Sequence, residues 1–159
     1  MNHLHPLRRT LASLAVAVLA AGAALPARAV AVPKALAPAA HESLYMHVGA
    51  RGVQIYECRA SAGGHAWTFV APAAELFDAD GRRIGTHGAG PQWRFADGSV
   101  VTGRVATRTE APQAGAIPWL LLHARAPYPH DRLAGVRSIQ RVNTAGGQAP
   151  AEGCDAPTA

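Results

Sequence analysis

The sequence predicts an all-β fold: a single compact sandwich or small barrel of antiparallel strands joined by Gly/Pro-rich loops. Three observations carry this expectation. No long window sustains the 3.6-residue period of an amphipathic helix. Sixteen glycines and 12 prolines punctuate the 159 residues, so helix breakers are never far away. Turn signals recur about every 8–12 residues, the spacing of short strands in a sandwich or barrel.

Residues 1–29 read as a signal peptide. Arg8 and Arg9 precede an apolar run from Leu11 to Leu25, and Ala27 and Ala29 stand in an A-x-A arrangement before the expected cleavage. The general secretory route is the plain expectation, and the Arg8-Arg9 pair raises twin-arginine export as the alternative. Residues 30–43 read as an extended leader, because Pro33 and Pro38 break any helix and the alanines offer little to bury. Residues 44–159 form one β-rich domain.

Within that domain "GVQIYECRA" sets Val53, Ile55 and Glu57 against Gln54, Tyr56 and Cys58. Both sets are mostly apolar or aromatic, which predicts a central strand. Ala66–Val70 is a second strand, and "APAAELFDA" reads as one short helical turn. Asp80-Gly81 is a hairpin dipeptide, and Asp97-Gly98 is another between Trp93–Phe95 and Val100–Thr109. In the longer run Val101, Val105 and Thr107 share a buried face, opposite Thr102, Arg104 and Arg108. "IPWLLLHARA" is an apolar central strand with Trp119 in the core, and "GVRSIQRVNT" is the last strand before Gly146-Gly147. "GTHGAGP" obeys neither strand nor helix rules, and its glycines predict positive φ or close backbone approach.

Charge and motifs exclude several function classes. The formal charge is +5, but Arg8, Arg9 and Arg28 lie in the signal peptide, leaving 12 basic against 10 acidic residues. No basic stripe survives, so nucleic acid is not an expected partner. No later apolar run reaches membrane-spanning length, so no transmembrane anchor is expected after cleavage. "GAGPQW" begins G-x-G, but Pro91 follows and no helix opens there, which rules out a dinucleotide fingerprint. No serine stands in G-x-S-x-G, and Asp97-Gly98-Ser99 is ordinary turn chemistry. Asp78–Gly81 lacks the rest of a calcium loop.

Cys58 and Cys154 are the two cysteines, and an even pair in an exported chain reads as a disulfide. A free nucleophilic or metal-binding thiol is the alternative.

Taken in order, "GVQIYEC", the Trp67–Gly103 run "W.F..P.A.LFD..G..IG.H.AGP.W...DGS.V.G", "IPWLLL" and "SIQRVNT.GG.AP..GC" resemble the family called domain of unknown function 3455. This group comprises secreted proteins of bacteria and fungi. The resemblance spans about residues 44–155. It implies export and one compact domain, and it assigns no activity and no residue roles.

The candidate site is the mouth of the His87–Asp97 loop together with His65 and Trp93. His65 and His87 stand at strand edges beside glycine, and no H-x-H, H-E-x-x-H or C-x-x-C spacing singles out a metal set. Trp93 offers an apolar face and one N–H donor, although core packing is the favoured account of it. Arg94, Gln140 and Arg141 are further polar groups for a ligand, and the arginine fork suits carboxylates or phosphates. Arginines on strands also serve simply as a solvated face.

These features favour a non-enzymatic binding or envelope-associated module, periplasmic or extracellular. Its partner is a small molecule or an envelope component, with no cofactor predicted. The alternative is a metal-assisted or acid/base enzyme using His87 and Asp97, in which a metal ion would be bound.

Overall fold

The computed structural model describes residues 31–156. The signal-peptide reading of residues 1–29 lies outside the described residues. Seven antiparallel strands form one sheet in the order β1 to β7, each paired with its neighbour in sequence. They are β1 (Gly49–Ser61), β2 (Gly64–Phe77), β3 (Arg83–Gly88), β4 (Gln92–Phe95), β5 (Val100–Thr109), β6 (Trp119–Arg125) and β7 (Ser138–Arg141). The fold is all-β, and the one helical element among the described residues is a 3-10 turn at Lys34–Leu36.

The hairpin dipeptides act as expected. Gly81 and Gly98 take φ of 78° and 87°, values that glycine adopts without steric cost. The Asp78 carboxylate accepts the backbone N–H groups of Asp80 and Arg82 at 3.0 and 2.9 Å and so shapes the β2–β3 turn. In the "GTHGAGP" stretch the chain is a regular strand as far as Gly88, and only Gly90 takes positive φ, at 98°. Gly85 is needed for close approach, since a Cβ there would stand 2.5 Å from the Arg94 carbonyl.

Four local expectations are corrected. "APAAELFDA" is not a helical turn but the end of β2 and the start of the β2–β3 turn. Cross-strand pairing of Ala74 with both Gly52 and His87 overrides the helix propensity of alanine. β1 is the first strand of the ladder rather than a central one, and Val53 and Ile55 are 59 % and 42 % exposed. In β5 the register shifts between Val105 and Thr107. That bulge inverts the alternation, so Arg108 shares the face of Val101 rather than opposing it. Finally, the leader is not free of burial: Leu36 is fully buried, and Gln140 Nε2 donates to its carbonyl at 2.6 Å.

Leu76, Phe95, Val101 and Leu133 form a core cluster, with Trp93, Ala124 and Ile139 packed against it. We call the sheet face that carries Leu76, Phe95 and Val101 the core face. Trp119 and Leu122 on β6 are also buried, as the apolar strand predicts.

The sheet curls. In a flat sheet β1 and β6 would lie about 24 Å apart, five strand spacings. Yet Gly147 bridges Ala116, just before β6, and its carbonyl accepts from Tyr56 Oη on β1 at 2.8 Å. The same segment continues to β2, where Trp67 Nε1 donates to the Glu152 carbonyl at 3.0 Å, and ends in the Cys58–Cys154 disulfide. Residues 144–154 therefore form a strap between the two ends of the sheet. Among the described residues no ladder joins β1 to β7.

Candidate functional site

The strand register builds a continuous row on the core face: Gly52, Ala74, His87, Trp93 and Val101, one residue from each of β1 to β5. Small residues at the first two positions and rings at the next two leave space beside His87. A cleft of about 510 Å³ lies behind this row, on the opposite face of the sheet: Arg51, Thr86, Gln92 and Arg94, whose register sets them on that face, line it together with Gly52, Ala74 and His87. Glu75 also borders it but is paired with Arg83 at 2.7 Å.

His87 and Trp93 face each other across β3 and β4 with ring centroids 4.4 Å apart and planes 9° from parallel. Trp93 has room for this pose because residue 103 is glycine, where a Cβ would meet its ring at 3.0 Å and Leu122 at 3.1 Å. His87 Nδ1 lies 3.0 Å from the Gln92 carbonyl. A carbonyl only accepts, so Nδ1 carries the proton and Nε2 is the basic nitrogen of the neutral ring. Nε2 has no hydrogen-bond partner among the described residues. Burial pushes the imidazole below the usual histidine range; the Gln92 carbonyl opposes this, and the Arg141 charge adds to it. His87 is therefore a neutral, half-buried base at neutral pH.

The other two residues of the predicted site lie elsewhere. Asp97 occupies the β4–β5 turn, where it accepts the Ser99 backbone N–H at 3.0 Å and pairs with Arg132. The Ser99 hydrogen bonds hold its carboxyl below the ordinary carboxylate value, with Arg132 contributing less. Its work is to tie the turn to residues 126–136, together with Asp131, which accepts the N–H groups of Val100 and Leu133 at 2.8 Å each. His65 pairs with Ala60 at the β1–β2 turn. It lies nine positions before Ala74, the partner of His87, which is about 30 Å along a strand. His65 lines a different depression, with Trp67, Glu152 and Asp155. Among the described residues no three His, Cys, Asp or Glu side chains converge as a metal set.

Two contributors to the core face were not singled out from sequence. Tyr56 carries its hydroxyl to the strap, and Gly52 admits the backbone of Ala73 and Ala74 so closely that no Cβ fits. A glycine inside an apolar strand is the signal that marks such a site. Arg141, which was singled out, is half-buried on β7 and donates Nε and Nη2 to the Pro118 carbonyl at 3.2 and 2.7 Å. Arg94 is exposed and donates to Gln92 Oε1 at 3.2 Å, and Gln140 is spent on Leu36.

No curated protein and no solved structure matches the chain. Among protein families, residues 38–159 match the one described as "Protein of unknown function (DUF3455)". That match takes in the whole sheet and the strap, and it agrees with the resemblance carried by the motifs. The chain belongs to the family of proteins of unknown function DUF3455.

Proposed function

We propose that the protein is an exported binding module that holds a small molecule on the core face beside His87 and Trp93. Export is supported by the Arg8-Arg9 start, the apolar run and the Ala27-x-Ala29 pattern. The Cys58–Cys154 disulfide adds weak support, since such bonds persist in oxidising compartments, here periplasmic or extracellular. Among the described residues no helix is long and apolar enough to cross a membrane.

One observation carries the binding reading: on the core face a half-buried imidazole is stacked on an indole, with Nε2 unengaged. A neutral Nε2 also suits a general base, which is the specific support for an acid/base enzyme. The Asp97 carboxylate does not serve as its partner, because Ser99 and Arg132 engage it.

The test is a fragment screen followed by NMR of the labelled His87 imidazole and Trp93 indole. The binding reading expects hits that move both rings together and that lose affinity in His87→Ala. Hits that bind His87→Ala equally well, or that leave both rings unmoved, would refute it.

A further inference from the structure

Arg141 is a half-buried cation without a carboxylate. All ten acidic residues of the chain fall among the described residues. The ion pairs they form reach Arg59, Arg82, Arg83 and Arg132, and none reaches Arg141. A buried charge is ordinarily compensated by a counter-charge.

Its surroundings are instead cationic or neutral. Arg108, Leu120 and Arg141 form a second cross-strand row on the core face, and the β5 bulge is what turns Arg108 onto it. The curl of the sheet brings β1 and β3 opposite this row. Burial foremost, and then the like charge of Arg108, disfavour the Arg141 cation; Tyr56 lies near enough to act on it, and Arg141 in turn acts on His87. Meanwhile the Pro118 carbonyl holds one edge of the guanidinium through Nε and Nη2. That contact fixes the plane of the fork and leaves Nη1 without a hydrogen-bond partner among the described residues.

We infer that Arg141 receives the oxyanion of a small ligand, a carboxylate or a phosphate group, on the core face between Tyr56, His87 and Arg108. The guanidinium supplies planar, charge-assisted donors, and Arg108 adds field without direct contact. The anion would neutralise the one half-buried cation among the described residues that lacks a carboxylate, while the stacked rings of His87 and Trp93 flank the remainder of the molecule. This inference deepens the binding reading and rests on it for the location of the ligand.

The test uses the 15N-labelled protein at low ionic strength, titrated with benzoate, with inorganic phosphate, and with chloride at matched ionic strength. The expected result is a saturable shift of the Arg141 Nε–H signal with benzoate or phosphate and none with chloride. Saturation with benzoate that also moves Trp93 identifies a carboxylate on an aromatic body; saturation with phosphate alone identifies a phosphate. Arg141→Gln weakens binding about tenfold or more, the loss of charge-assisted hydrogen bonds. Arg108→Gln, an exposed residue, weakens it about two- to threefold with the fold intact, so the test survives an Arg141→Gln chain that fails to fold. An Arg141 signal unmoved by both anions, or binding that persists unchanged in the two variants, overturns the inference. If neutral fragments still move His87 and Trp93 in that case, the binding reading stands and only the oxyanion falls. If benzoate moves Arg141 but neither ring responds, the anion site stands and the His87–Trp93 part of the site falls.

Discussion

His87 and Trp93 are direct cross-strand partners whose rings stack at 4.4 Å. Antiparallel pairing sets the two residues opposite each other, and the missing side chain at Gly103 lets the indole lie back beneath the imidazole. The pair gives the core face a flat aromatic step whose upper ring titrates.

That titration has a definite sign. Burial first, and Arg141 less strongly, lower the folded-state value of His87 below 6.5, while the Gln92 carbonyl opposes them. The unfolded chain therefore takes up this proton first as the pH falls. Its contribution to stability is complete above about 6.5 and is lost as the pH falls from there through the lower folded-state value. Urea denaturation across pH 7.5 to 5 should show a declining midpoint in the wild type and a flatter profile in His87→Gln. Equal slopes would mean that His87 does not titrate as described.

Gly103→Ala should cost about 1–3 kcal/mol, the usual penalty of overpacking, because the new methyl meets both Trp93 and Leu122. It should also disturb the near-ultraviolet circular dichroism of the stacked rings. Gly88→Ala is the control: nothing lies within 4 Å of the added carbon, so a change within about 0.5 kcal/mol is expected.

Cys154→Ala should lower stability by about 4–5 kcal/mol in the chain-entropy picture, since the bridge joins residues 96 apart in sequence. Release of the strap also frees the Trp67 indole N–H from Glu152, so its fluorescence should shift. An unchanged denaturation midpoint under non-reducing conditions would count against the strap as a structural tie.

Leu36→Ala should cost about 2–5 kcal/mol, as for other fully buried leucines. The same comparison asks whether the segment before residue 38, where the family match begins, is part of the folded unit. A cost within experimental error would return it to the status of a leader.

Much of the fold was legible because strands announce themselves locally. The span Val100–Thr109 is read from alternation and a preceding Asp-Gly, and β5 has those bounds. The two hairpin turns follow from the positive φ that glycine adopts without steric cost. What was hidden depends on partners. Alternation in β5 looks unbroken in sequence, and only its pairing with β6 shows the shift after Val105 that turns Arg108 to the core face. β1 is apolar on both faces, which suggested a central place, although the strap covers part of it and Val53 and Ile55 stay exposed. In the site, proximity in sequence brought His87 and Trp93 together through a hairpin but misplaced Asp97. Turn carboxylates satisfy local N–H groups first. His65 shares a strand-edge setting with His87, yet the length of β2 keeps them apart.

The strap has a kinetic consequence. Every ladder joins strands adjacent in the chain, so the sheet assembles by local zippering with short loops to close. The ties from Tyr56 to Gly147, Trp67 to Glu152 and Cys58 to Cys154 span 91, 85 and 96 residues. Their closure is the costly, non-local step, and it comes after the hairpins have brought β1 and β6 round to each other. The seam that docks last is also where the molecule is expected to open first, with its hairpins still paired.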